Sequence, residues 1–140
     1  MKPKNQIPSN FKPYKTYEGK FADHIGPYYI KNRFPKTIFG TFISEKHSNL
    51  NNVAHGGFLM AFADSIGGFV AYNTVKKSIV TINLNSSFLR PVNVGSWLEG
   101  KGVIKKFGKR LVFVEIELMV DKRTVFTSSG IWQIINIVKV

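Results

Sequence analysis

Residues 56–70 read GGFLMAFADSIGGFV, and they decide how the whole chain is interpreted. The run continues apolar nearly all round to about residue 75, as expected of a helix that the rest of the fold buries. Asp64 is the one formally charged side chain between Lys46 and Lys76. Because a lone carboxylate is costly to bury, it is usually found in such surroundings only with a hydrogen-bonding or ionic partner or with a functional role. We therefore predict a long buried helix with a functional residue at Asp64.

One face of this predicted helix carries only small side chains. Gly57, Ala61, Ser65 and Gly68 recur at spacings of four, four and three residues. Glycine inside a helix costs about 1 kcal/mol, and close packing can offset that cost. The small face therefore predicts the close approach of another backbone or of a ligand.

The rest of the chain is predicted to be mainly β-structure. A short helix is expected at residues 21–26, then strands at 28–33, 37–44, 79–89, 96–106, 110–120 and 124–138. The economical arrangement is one antiparallel β-sheet curled around one long central helix, an α+β fold. Residues 1–20 lack periodicity and are predicted to be an N-terminal extension of a single domain at residues 21–140.

Composition restricts the class of protein and of site. Twenty Lys and Arg against eight Asp and Glu favour an anionic partner, or a lysine-rich surface without a special task. The absence of cysteine excludes disulfides and thiolate chemistry, and fits a reducing compartment. No window approaches the ~20 uncharged apolar residues of a membrane span, and no apolar stretch follows the basic N-terminus. We expect a cytoplasmic protein without membrane insertion.

A spaced set of residues surrounds the start of the predicted helix. Asn49 stands six residues before His55, and Asp64 follows seven residues after Gly57. A helix that begins near Gly56 presents free N–H groups that can polarise a carbonyl and hold developing negative charge. Asn49 could add a side-chain N–H, and Asp64 could activate water or attack directly. The set predicts a site for acyl transfer or hydrolysis.

Each part alone also has a plainer interpretation. A buried Asp64 can be a structural group, His55 a hydrogen-bonded loop residue, and Asn49 part of a turn. The four phenylalanines that could line an apolar tunnel can equally be core residues: Phe58, Phe62, Phe69 and Phe88. Only the joint pattern is specific.

The spacing along the helix has a consequence for assembly. Gly57 and Asp64 share a helix face, but seven residues at ~1.5 Å rise place them about 10 Å apart. A carbonyl group held by the Gly57 amide is therefore too far from Asp64 of the same helix to be attacked by it. We therefore predict a composite site between two antiparallel helices at a symmetric dimer interface.

The chain resembles the hotdog-fold acyl-CoA thioesterases, in particular the PaaI-like branch of the phenylacetate pathway. The resemblance is carried by NLNNVAHGG at residues 49–57 with Asp64, by TINLNSSFLRP at 81–91, by KFGKRL at 106–111 and by IGPYY at 25–29. It implies the hotdog fold, dimers that pair into tetramers, and hydrolysis of an acyl- or aryl-CoA without a metal or organic cofactor.

The resemblance also implies roles for single residues. Asn49 and the Gly56 amide would polarise the thioester carbonyl, and Asp64 from the other subunit would act as general base or nucleophile. The Thr81 hydroxyl would help to orient water, and His55 would shape the loop and the helix start. Substrate binding is expected at Gly57, Asn83, Phe88, Lys106, Phe107, Gly108, Lys109 and Arg110, with the basic side chains meeting CoA.

Three other functions remain open at this point. A hydratase or dehydratase on the same fold uses His and acidic residues in a layout that the chain lacks. A non-catalytic acyl-CoA-binding or assembly protein would not need Asn49, Gly56, Asp64 and Thr81 together. A nucleic-acid-binding protein would fit the charge, but the aromatic residues lie in alternating apolar strands instead of on exposed stacking platforms.

Overall fold

The computed structural model describes residues 6–15 and 19–136. Its elements, in chain order, are β1 (Lys12–Pro13), α1 (Phe21–Ile25), β2 (Tyr29–Lys31), β3 (Ile38–Phe42), a 3-10 turn (Glu45–His47), α2 (Gly56–Val75), β4 (Ile79–Phe88), β5 (Trp97–Phe107), β6 (Leu111–Val120) and β7 (Arg123–Ile134). The seven strands form one antiparallel sheet in the order β1-β2-β3-β5-β6-β7-β4. The predicted α+β arrangement is confirmed, and β4 forms one edge of the sheet.

Two local details differ from the sequence expectation. Residues 12–13, inside the predicted extension, pair with β2, and Phe11 packs edge-to-face on Trp97 with ring centroids 5.1 Å apart. A 3-10 turn at Glu45–His47 follows β3, where the sequence predicted no regular element. The end of the last predicted strand, residues 137–138, lies outside the described residues. Part of the N-terminal region therefore covers the sheet.

The inner face of the sheet packs against α2. The alternation predicted for β6 is confirmed, since Val112, Val114, Ile116 and Leu118 are all buried. Trp132 on β7 lies so close to α2 that a Cβ added at Gly67 would be 2.1 Å from its ring. Glycine at position 67 is therefore a packing requirement, because any side chain there would displace the indole ring.

Helix α2 is 20 residues long and, by length and composition alone, apolar enough to cross a membrane. In the fold, 44% of its most apolar window is buried, chiefly where it faces the sheet. The buried core helix of a globular domain meets the same criterion, so its packing accounts for its composition. The face that carries Asp64 is only partly covered by the other described residues: Gly57 is exposed, while Ala61, Asp64, Ser65 and Gly68 are half-buried.

Candidate active site

Asp64 and Thr81 form the central contact of the site. The Thr81 hydroxyl, on edge strand β4, donates a 2.6 Å hydrogen bond to Asp64 Oδ1. Asp64 is half-buried and Thr81 is exposed, so the carboxylate is more accessible than the apolar sequence around it suggested. The contact pairs a general-base candidate with a hydroxyl that can fix its orientation.

A β-bulge next to Thr81 places its side chain on the face of the sheet that packs against α2. The register of β4 against β7 shifts between Thr81 and Asn83, so that Thr81 pairs with Trp132 and Asn83 pairs with Ile131. Trp132 faces α2, whereas Ile131 lies on the opposite face of the sheet because side chains alternate along a strand. Bulges often re-aim side chains beside active sites. Asn83, a predicted substrate-binding residue, therefore lies on the face away from Asp64.

Asn49 is held in a tight loop that leaves one end of its amide free. Its Oδ1 accepts hydrogen bonds from the backbone N–H groups of Asn51 at 2.8 Å and Val53 at 3.5 Å. Asn52 adopts a left-handed conformation with φ of 63°, which Asn tolerates well. Because the amide oxygen is occupied, the Nδ2 hydrogens of Asn49 are the donors left for a ligand.

His55 caps α2. Its Nδ1 accepts a 2.8 Å hydrogen bond from the N–H of Gly57, so this amide is not available to a substrate. No described residue accepts from the N–H of Gly56, the first residue of the helix. The structure thus separates two predicted roles: His55 and Gly57 build the helix start, and Gly56 keeps a free donor at the positive end of the helix dipole.

A shallow pocket lies beside this free donor. Its volume is about 190 Å³, and its lining includes Gly56, Leu59, Phe88 and Arg90. The Phe88 ring lies 3.2 Å from where a Cβ of Gly56 would stand, and just over half of its surface, 52%, is exposed. An alanine at position 56 would therefore push against this ring. Phe88 therefore forms part of the pocket wall beside the Gly56 amide.

The two halves of the predicted site are apart within one chain. Gly56 and Asp64 are eight residues apart on one helix, which at ~1.5 Å per residue is about 12 Å. Phe88 lies beside Gly56, Asn49 follows Ser48, which pairs with Ala54 just before the helix, and Thr81 lies with Asp64. One chain therefore does not bring the predicted carbonyl-polarising donors to the carboxylate.

The predicted CoA-binding turn is at the Thr81 end of the sheet. All five of its residues are exposed: Lys106 and Phe107 end β5, and Gly108, Lys109 and Arg110 connect it to β6. The carbonyl of Arg110 accepts a hydrogen bond from the N–H of Ile134. The N–H of Ile135 donates to the carbonyl of Ser78, just before β4. The basic turn therefore lies on the side of Asp64 away from Gly56.

Sequence reasoning did not assign a role to Tyr28. Its side chain is 3% exposed, and its hydroxyl lies near the Ser65 hydroxyl and the Asp64 carboxylate without a close hydrogen bond to a described residue. Burial raises the pKa of Tyr28, the nearby Ser65 hydroxyl opposes this shift, and the charge of Asp64 adds to it. The only hint in the sequence was its place in the IGPYY stretch. In the described ranges, no group of three or more His, Asp or Glu side chains could hold a metal ion.

Residues 51–127 match the family model of the Thioesterase superfamily, which is more than half of the chain. The chain belongs to the Thioesterase superfamily. A protein of Thermoplasma acidophilum named "Putative esterase Ta0293" is 29% identical over 76 residues. These residues are 53% of this chain and 56% of that relative, so the match spans little more than half of its length.

Solved structures show the same fold. A mutant of the phenylacetic acid degradation protein PaaI from Thermus thermophilus has a TM-score of 0.75 and 22% identity, over 82% of this chain and 98% of that one. A hypothetical thioesterase from Streptococcus pneumoniae, solved with coenzyme A, has a TM-score of 0.72 and 21% identity, over 78% and 86%. The fold of this superfamily member is the hotdog fold.

Proposed function

We propose that this protein hydrolyses acyl-CoA thioesters to a free acid and CoA. The observation that carries the proposal is the hydrogen bond from Thr81 to Asp64 on the partly covered face of α2. Membership of the Thioesterase superfamily supports the reaction class. The coenzyme A in the Streptococcus pneumoniae neighbour supports CoA as the thiol.

The free donors and the carboxylate have complementary tasks in this reaction. Asn49 Nδ2 and the Gly56 N–H would hold the thioester oxygen, whose negative charge grows as the carbonyl carbon becomes tetrahedral. Asp64 would take a proton from water as the water oxygen bonds to that carbon. When the carbon–sulfur bond breaks, the departing thiolate of CoA takes up this proton from Asp64. Direct attack by Asp64, through an anhydride that water then cleaves, uses the same residues.

A second copy of the chain would bring the two halves together. Strand β4 is a ten-residue sheet edge with exposed apolar side chains at Val80, Ile82 and Phe88, and the exposed Leu89 follows it. An exposed apolar edge is a template for pairing with another strand. A two-fold axis at this edge would place α2 antiparallel to its copy, with Gly56 of one protomer near Asp64 of the other.

The first experiment tests the reaction and the carboxylate. An acyl-CoA panel, from short to long and from aliphatic to aryl, is assayed by release of free thiol. We expect turnover by the native protein and a loss of ~100-fold or more in Asp64→Asn, with unchanged folding. Asp121→Asn makes the same change in an exposed turn and serves as control. Acyl-CoA binding without turnover would instead favour a non-catalytic binding protein.

The second experiment tests the composite site. Asp64→Asn and Asn49→Ala are each expected to be nearly inactive. Unfolded, mixed and refolded together, they form mixed dimers in which one site combines an intact Asn49 with an intact Asp64. Random pairing should restore about a quarter of native activity. A site contained in one chain predicts no recovery on mixing, and a native protein that is active as a monomer would also refute the proposal.

A further inference from the structure

Tyr28 stands between the partly covered face of α2 and a cavity beneath the N-terminal segment. Its ring packs against Phe62 on α2, with centroids 5.1 Å apart, and its hydroxyl lies near Ser65 and Asp64. Ser65 belongs to the small face along which a second helix or an acyl group can lie. Tyr28 therefore borders the site on the side opposite Thr81.

The cavity on the other side of Tyr28 has a volume of about 380 Å³. Its described lining comprises residues 13–15, Ala22 and Asp23 of α1, Pro27 and Tyr28. Most of this wall is apolar, and Lys15 and Asp23 are the charged members. The volume is many times the ~30 Å³ share of one water molecule, so it can hold part of an extended acyl chain.

We propose that Tyr28 sets the longest acyl group that the enzyme accepts. It would do so by separating the groove along the small face of α2, at Asp64 and Ser65, from this cavity. The proposal rests on the thioesterase activity proposed above. An acyl group attached to a carbonyl at Asp64 can run along the small face towards Ser65, where the Tyr28 ring blocks it. The ring cannot easily swing aside, because it is almost fully buried and packs on Phe62.

The position of the hydroxyl strengthens the block, because it lies near the Ser65 hydroxyl on the small face. An alkyl chain that passed between these two hydroxyls would separate them and offer neither of them a hydrogen-bond partner. Tyr28 thus discriminates against longer chains by its bulk and by its chemistry. Removing the ring would join the groove to the cavity behind it.

The test compares kcat/KM over straight-chain acyl-CoAs from acetyl to palmitoyl in native protein, Tyr28→Leu and Tyr28→Val. We expect both variants to accept chains at least two methylenes longer, with a gain of ~10-fold or more at the first length that the native protein rejects. Tyr28→Trp should shorten the accepted length. Adding Ala22→Leu to Tyr28→Leu refills the cavity and should restore the shorter limit. The matched control is Tyr29→Leu, whose ring packs on Trp97 instead of on α2.

Each outcome decides the proposal. An unchanged chain-length profile in folded Tyr28→Leu and Tyr28→Val, as judged by their melting temperatures, overturns it. If these variants do not fold, an unchanged profile in Tyr28→Trp overturns it, and a shortened one supports it. If the native protein hydrolyses no acyl-CoA at all, the proposed function itself fails. If the native protein hydrolyses acyl-CoA but substitutions at position 28 leave the chain-length profile unchanged, only the role of Tyr28 is overturned.

Discussion

Thr81 Oγ1 donates a 2.6 Å hydrogen bond to Asp64 Oδ1, and so joins the edge strand β4 to the middle of α2. The bond occupies one oxygen of the carboxylate and leaves Oδ2 for a water molecule or a carbonyl carbon. Because the hydroxyl donates to Oδ1, it fixes the orientation of the carboxylate that would act as general base. The orientation of the proposed base therefore depends on a residue of the sheet edge.

Replacing Thr81 by valine should lower turnover without unfolding the protein. Valine keeps the shape of the side chain but removes the hydroxyl, and a hydrogen bond to a charged group is worth ~1.5–3 kcal/mol. We expect kcat to fall ~10- to 100-fold with little change in KM, while Thr81→Ser keeps most of the activity. Steady-state kinetics on one acyl-CoA measures both. Native kcat in Thr81→Val would remove the hydroxyl from the mechanism.

Removing the positive charges of the basic turn should raise KM for acyl-CoA more than it lowers kcat. In Lys109→Gln with Arg110→Gln, we expect KM for acyl-CoA to rise ~10-fold, with a smaller loss of kcat, because phosphate contacts are made equally in ground and transition states. A truncated thioester without the nucleotide should show no difference from native protein. Lys122→Gln, in the turn between β6 and β7, is the control. Equal losses on the full and truncated substrates would place this turn away from CoA.

Hydrophobic periodicity was sufficient to predict the long elements. The apolar run at residues 56–75 and the alternation along β6 each determine one element without help from distant residues. The two-residue strand β1 could not be predicted this way, because its position depends on the packing of Phe11 against Trp97. Short pairings of this kind are decided by tertiary contacts, which leave no period in the sequence.

The candidate site was predictable where its geometry is local. His55, Gly56 and Gly57 follow from how a helix begins. The face of the sheet on which Asn83 lies could not be predicted, because a single bulged residue, Ile82, reverses which side chains face the helix. Tyr28 was missed because its significance lies in a neighbouring cavity and in its place beside Ser65 and Asp64, and neither is a property of the sequence.

Stability should decrease in mild acid because of His47. This ring is 3% exposed, its Nε2–H donates to the carbonyl of Ile25, and its Nδ1 accepts from Ser44 N–H. Burial lowers the pKa of His47, the backbone bond to Ile25 opposes this shift, and the charge of Lys46 adds to it. The unfolded chain therefore binds a proton more readily than the folded protein does.

The stabilising effect of neutral His47 is complete above its unfolded pKa of about 6.5 and is lost as the pH falls below that value. Denaturant unfolding between neutral and mildly acidic pH should show this loss in native protein and a shallower slope in His47→Gln. His24→Gln, an exposed histidine on α1, should keep the native slope. Identical slopes in His47→Gln and native protein would exclude His47 as the source.

Adding one methyl group at Gly67 should destabilise the fold. The new Cβ would lie 2.1 Å from the six-membered ring of Trp132, so the indole or the helix must shift. Overpacking of this kind costs ~1–3 kcal/mol, which outweighs the gain of about 1 kcal/mol from replacing a helical glycine. Gly108→Ala, which would meet nothing within 4 Å, is the control for the methyl group itself.

A double-mutant cycle with Trp132→Phe tests the cause of this loss. Phenylalanine lacks the outer ring atoms that the alanine methyl would meet, so Gly67→Ala should cost much less in that background. Denaturant unfolding at one protomer concentration gives all four free energies, and we expect a coupling of ~1 kcal/mol or more between the two positions. If the double variant loses the sum of the unfolding free energies lost by the two single variants, the strain does not arise between Gly67 and Trp132. Their close packing would then not be what limits side-chain size on this face of α2.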